Sequence, residues 1–177
     1  MKKIPFELHN EIHTPKDIAK VLSLAVNEKN FTGNNKGEKF LNVPISFDIE
    51  TTSFYRDEDG ETYSYERYIK LGGKQTKMEK CSLMYVWQFG INGYCIMGRT
   101  WDEFTQMMSD IVTLMELNLK KRIIIYVHNL AYEFQFFREM FTWEKVFSLD
   151  LRKPIYGITK NGIEFRCSYL LSGYSLA

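Results

Sequence analysis

Asp48 and Glu50 close the run Ile45-Ser46-Phe47-Asp48-Ile49-Glu50, and Thr51 and Thr52 follow at once. In a strand, alternate residues share a face, so both carboxylates point the same way at the strand end. Carboxylates held side by side repel unless positive charge lies between them. A hard divalent cation, which prefers oxygen ligands, is the usual solution. The alternative is an exposed strand end with solvated acids. A third acid, Glu133, lies in His128-Asn129-Leu130-Ala131-Tyr132-Glu133, directly after the β-branched run from Arg122 to Val127. A continuous apolar run of this kind reads as a buried parallel strand. Asn129 can cap the helix that follows, with Glu133 in its first turns. In open α/β sheets, sites gather beyond the carboxyl ends of the strands.

Converging carboxylates with no obligatory thiol or histidine favour Mg²⁺ or Mn²⁺. Two such ions about 3.5–4 Å apart clamp a phosphodiester for hydrolysis. In that scheme Asp48 bridges the ions, Glu50 binds one and orients the water, and Glu133 holds the second. Thr51 and Thr52 lie close enough to bind the terminal nucleotide, and Asn129 and Tyr132 to contact the strand beside it. His128, at a strand end, reads as a hydrogen-bonded structural residue. No Ser-His-Asp or Cys-His arrangement is evident, and Gly72-Gly73 lacks the strand-loop-helix setting of a phosphate-cradling loop. Asp57, Asp59 and Gly60 resemble part of a calcium loop, but the spacing to a bidentate glutamate is wrong and a solvated turn is expected.

A chain of 177 residues with net charge +1 has room for one core and no global field announcing a nucleic-acid partner. A local basic groove would still suffice to bind one. The cysteines Cys81, Cys95 and Cys167 are widely spaced, which suggests reduced, partly buried thiols and a cytoplasmic location. The apolar runs are too short to span a bilayer and no signal-peptide core opens the chain, so no membrane association is expected. Aromatic residues make up 15% of the chain, enough for a base-stacking surface as well as a core.

Residues 1–42 read as an N-terminal extension carrying one helix, with Thr14 as N-cap, Pro15 at the first position and apolar spacing to about Asn27. A Gly/Asn-rich loop over 31–39 precedes the first core strand, about 43–50. Residues 55–79 form a polar insertion, a hairpin turn or surface loop, inside a domain of 43–177. Strands at 81–89 and 94–98 flank a turn at 90–93. Thr100 and Glu103 form a capping-box pattern at the head of a helix reaching about Asn118, with Met107 and Met108 as gap-filling core. After the helix to about Met140, residues 145–169 read as short strands with a turn at Lys160-Asn161-Gly162, and Ser172-Gly173 breaks the pattern. The order predicts an α/β fold, a mixed sheet flanked by helices. It places Asp48-Glu50 near Asn129-Glu133.

Phe47-Asp48-Ile49-Glu50-Thr51-Thr52 resembles the first exonuclease motif of family B DNA polymerases, and His128-Asn129-Leu130-Ala131-Tyr132-Glu133 the second. Together with Trp101-Asp102-Glu103-Phe104 ahead of the intervening helix, they resemble the protein-primed branch, found in small tailed phages and linear plasmids. The resemblance covers about residues 43–177. It implies a ribonuclease H-like 3′–5′ exonuclease domain that proofreads single-stranded DNA 3′ ends. Asp48, Glu50 and Glu133 would be catalytic metal ligands; Thr51, Asn129 and Tyr132 would hold the strand, and Ser168 would match a strand-binding motif in which Tyr169 replaces the family's leucine. Glu133 stands where the family carries aspartate. The third motif, Tyr-x-x-x-Asp, is expected beyond Ala177.

The sequence therefore predicts a fold incomplete at its C-terminus, an excised fragment or truncated product with weak or no nuclease activity and an incomplete two-metal site. Its expected partners are a single-stranded DNA 3′ end, the rest of a polymerase or a terminal protein, or a second copy through exposed sheet surface. A non-catalytic module that binds single-stranded DNA or protein on the same fold is the alternative. An unrelated nuclease completed by Asp150 is the third reading.

Overall fold

The structure, a computed structural model, describes residues 8–150 and 152–173. In chain order its elements are β1 (Ile12–His13), α1 (Ile18–Ala25), β2 (Phe31–Gly33), β3 (Lys39–Leu41), β4 (Ile45–Arg56), β5 (Thr62–Tyr63), α2 (Tyr65–Lys70), β6 (Glu79–Ile91), β7 (Tyr94–Gly98), α3 (Trp101–Leu114), β8 (Lys121–Val127), α4 (Leu130–Phe137), β9 (Trp143–Ser148), β10 (Pro154–Thr159), β11 (Ile163–Cys167) and α5 (Ser168–Ser172). They divide into two compact units, one of residues up to 48 and from 87 onward, the other of residues 49–86.

The larger unit is α/β, a mixed sheet with helices packed on it. Its strand order is β1-β7-β6-β4-β8-β11-β10-β9, with β3 also joining β8 and β2 pairing β3. The run from Arg122 to Val127 is indeed a parallel strand: β8 pairs in parallel with β4 (Phe47 opposite Val127) and with β11 (Phe165 opposite Ile125). Ile123, Ile125 and Val127 are fully buried.

Aromatic packing fixes one face of this sheet. Phe47 meets Phe104 of α3 at 4.6 Å and Phe137 of α4 at 5.9 Å between ring centres, and Phe137 meets Phe165 at 4.8 Å. Residues alternating with these point to the other face, among them Ser46, Ile124, Tyr126, Glu164 and Arg166, which the parallel registers place together.

The capping box forms as the sequence predicts. Thr100 Oγ1 accepts from the Glu103 N–H at 3.2 Å, and Glu103 Oε2 accepts from the Thr100 N–H at 3.0 Å. Phe104, Met107, Met108 and Ile111 of α3 are buried. The helix ends sooner than its apolar spacing implies, because Glu116 takes the left-handed conformation at φ 51°. Asn92 and Gly93, at φ 47° and 90°, make the two-residue turn between β6 and β7.

Two stretches read as loops carry structure. Residues 31–41 fold as the β2–β3 hairpin, whose turn is held by Asn34 Oδ1 accepting from Lys36 and Glu38 N–H groups. In the smaller unit, β5 pairs with the end of β4 (Tyr55 opposite Tyr63), and the helix α2 begins at Ser64, whose Oγ accepts from the Arg67 N–H. The apolar signal of α2 is one turn long, and what seats it is Tyr68 stacked on Tyr55 at 3.7 Å. The Asp57 turn is solvated, as expected, and satisfied from within: its carboxylate accepts from Asp59, Glu61 and the Tyr63 hydroxyl.

All three cysteines are free thiols, Cys167 buried and the others half-buried. No helix among the described residues is long and apolar enough to cross a membrane.

Candidate functional site

Asp48 and Glu133 both belong to the larger unit. Asp48 lies on the exposed side of β4, alternating with buried Phe47. Glu133 sits in the first turn of α4, just past the carboxyl end of β8. The helix places it by necessity: Leu130, Phe134 and Phe137 face the core, and Glu133 falls within that stripe. It is only 5% exposed, and its Oε2 has no hydrogen-bond partner. Burial pushes its carboxyl up to about 7, and the charge of Asp48 pushes the same way. A buried acid poised near neutrality beside a second carboxylate is an expensive arrangement, of the kind found at functional sites.

Glu50, Thr51 and Thr52 fall in the smaller unit. There Glu50 and Thr52 are exposed and Thr51 is half-buried. Exposure alternates from Ser46 through Asp48 to Glu50 along β4, as expected for acids two residues apart in a strand. Among the described residues, no three His, Cys, Asp or Glu side chains stand together as a group able to hold a metal ion.

Asn129 is the residue preceding α4, but its side chain makes no capping bond. Its backbone does the work instead, the carbonyl accepting from the Tyr132 N–H at 2.8 Å. This corrects the expectation of a side-chain cap. Tyr132 is 42% exposed and begins an aromatic run: its ring meets Phe136 at 5.3 Å, and Phe136 stacks on Trp101 at 6.4 Å.

Ser168 opens α5, where its hydroxyl approaches His128 Nδ1 at 3.4 Å and the Val127 carbonyl at 3.5 Å. Tyr169 packs edge-on against the His128 ring. His128 is thus engaged by α5, in keeping with the structural role the sequence suggests. Asp150 is exposed and approaches Lys153 at 3.9 Å in the connection between β9 and β10.

Beside Asp48 lies a largely apolar cavity of about 440 Å³, lined by Ser46, Gln88, Gly90, Tyr94 and Tyr126 among others. A side chain at position 90 would collide with it from below, since a Cβ there would lie 2.7 Å from Ser46 Oγ.

One cluster escaped sequence reasoning. Arg122 bonds Glu38 Oε1 at 2.7 Å and approaches Glu164 Oε2 at 3.3 Å, while Arg166 Nε donates to Glu164 Oε1 at 2.7 Å. Arg122 and Glu164 are buried. The available signal was charge at alternate positions of an otherwise apolar strand, Ile163-Glu164-Phe165-Arg166.

No family model matches this chain, and no curated protein matches it.

Proposed function

We propose that the chain is a ribonuclease H-like module of the 3′–5′ exonuclease type, related to the proofreading domain of protein-primed DNA polymerases. The observation that carries this reading is the buried Glu133 carboxyl, its Oε2 without a hydrogen-bond partner and its proton held by burial and by the charge of Asp48, just past the carboxyl end of a parallel strand. The pairing of β4 with β8 supports it, since β4 carries Asp48 and β8 leads directly into the segment that carries Glu133.

The donor chemistry fits a hard cation. Asp48 and Glu133 offer oxygen ligands only, and Glu133 has an oxygen to spare. In this reading Asp48 and Glu133 would hold Mg²⁺ or Mn²⁺, which would supply Lewis acidity and an activated water for phosphodiester hydrolysis. Glu133 would have to give up its proton to become a ligand, and because burial and Asp48 hold that proton up to about 7, cation binding would weaken as pH falls below that value. The cavity beside Asp48 would accept the base or sugar of the terminal nucleotide. Asn129, Tyr132 and Ser168 hold the preceding strand, and the rest of a polymerase or a terminal protein is the macromolecular partner.

A second reading keeps strand binding without cleavage. The run Tyr132–Phe136–Trp101 favours it, because the exposed Tyr132 ring, backed by half-buried Phe136 and Trp101, can stack on a base whether or not hydrolysis follows. Digestion of a 5′-labelled single-stranded DNA oligonucleotide with Mn²⁺, beside Asp48→Ala, separates the two. Stepwise shortening from the 3′ end, lost in the variant, supports the nuclease. Binding without shortening supports the second reading and rejects the first.

A further inference from the structure

The strongest unexplained feature lies on the sheet face away from α4. Arg122, Glu164 and Arg166 point there, because Phe165, between the last two, packs against Phe137 on the α4 side. Together with Lys36, Glu38 and Lys145 they line a cavity of about 650 Å³. That is the size of a small-molecule site.

Its charge is unbalanced. Four cations, Lys36, Arg122, Lys145 and Arg166, face two carboxylates, Glu38 and Glu164. Glu38 is engaged by Arg122 and Glu164 Oε1 by Arg166, while Glu164 Oε2 lies 3.3 Å from Arg122 Nη1 without a hydrogen bond. Arg122 is 8% exposed, yet its Nε has no hydrogen-bond partner. A buried guanidinium with an unmet donor in a cavity with surplus positive charge is prepared for an anion.

Its walls are aromatic as well. Phe147 and Tyr156 stack at 5.5 Å with planes 27° apart, and Lys145 Nζ stands 5.6 Å from the Tyr156 ring. Phe40 lies under the Arg122 guanidinium at 4.7 Å. A flat ring and an anion are therefore both accommodated in a single pocket.

We propose that this cavity binds a phosphorylated nucleoside, with the base against Phe147 and Tyr156 and the phosphate among Arg122, Lys36, Lys145 and Arg166. The ligand is either a free mononucleotide or the terminal nucleotide of a strand, which share this chemistry. The site is separate from Asp48 and Glu133, so it stands whether or not the chain is a nuclease.

The test is calorimetric titration of the full chain with dAMP, adenosine, inorganic phosphate and a 5′-phosphorylated oligonucleotide, repeated on Lys145→Ala and Phe147→Ala. Both substitutions are at exposed positions, and thermal melts confirm that each variant is folded. The expected result is saturable dAMP binding, weakened about tenfold or more in each variant, with adenosine and phosphate each binding at least about tenfold more weakly. Competition between dAMP and the oligonucleotide identifies the source: displacement by dAMP at equal base concentration marks a mononucleotide site, and tighter oligonucleotide binding marks a strand terminus. Absence of saturable binding by dAMP and by the oligonucleotide alike overturns the proposal. So does binding that neither variant changes. Loss of Mn²⁺-dependent digestion in Asp48→Ala, with dAMP binding intact, would show the two sites to be independent.

Discussion

The Asp48 carboxylate raises the affinity of Glu133 for its proton, adding to a burial that already holds that carboxyl up at about 7. The two acids belong to different motifs, one within β4 and the other in the first turn of α4, and the charge of Asp48 makes ionisation of Glu133 costlier. Only a ligand that gains from both charges offsets that cost, which is why the pair is the centre of the functional reading.

The first prediction follows from linkage. Glu133 holds more protons folded than unfolded between its ordinary value of 4.5 and about 7, so stability falls as pH rises through that window and levels off above it. The penalty at pH 8 is on the order of 2 kcal/mol after allowing for screening by nearby water. Glu133→Gln should therefore be more stable than the parent at pH 8 and indistinguishable from it near pH 4. Urea melts at the two pH values measure this, and an equal difference at both would refute the assignment.

Asp48→Asn removes the like charge and should lower the Glu133 midpoint towards the ordinary carboxylate range. Carbon-detected titration of the Glu133 carboxyl reads this directly. An unchanged midpoint would mean that the two acids are not coupled.

The buried ion network yields a third prediction. Arg122→Met leaves Glu38 with Asn34 and the buried Glu164 with Arg166 alone, at a cost of about 3–5 kcal/mol. Adding Glu164→Gln should recover part of that loss. A double variant less stable than the single one would show that Glu164 is held by something else.

Much of this architecture was legible in local sequence. Thr100 and Glu103 announced α3 because a capping box is satisfied within four residues. The β-branched run of β8 and the Asn92-Gly93 turn were legible for the same local reason. What stayed hidden depends on distant partners. Arg122 meets Glu38 across 84 residues of chain, and nothing beside Glu38 signals it. The helix α2 was hidden because one turn carries little periodicity and its seat, Tyr55, lies on another element. At the site, the residue types Asp48 and Glu133 were legible, but the burial of Glu133 was not, since Leu130 and Phe134 decide it by turning their face of α4 inward.

A fourth prediction concerns the strand. Tyr132→Ala removes an exposed ring from the aromatic run and should weaken single-stranded DNA binding by about tenfold, at the lower end of base-stacking contributions, without lowering the melting temperature appreciably. Filter binding at fixed salt checks it, and unaltered affinity would place the strand elsewhere.

The central claim is that Asp48 and Glu133 share a hard divalent cation. Electron paramagnetic resonance of Mn²⁺ tests it most directly, by the loss of the free-ion signal as protein is added. The account predicts saturable Mn²⁺ binding by the parent chain at pH 8, weakened about tenfold or more by Asp48→Ala and by Glu133→Gln separately. Binding of equal strength in all three proteins, or none in the parent, would contradict it.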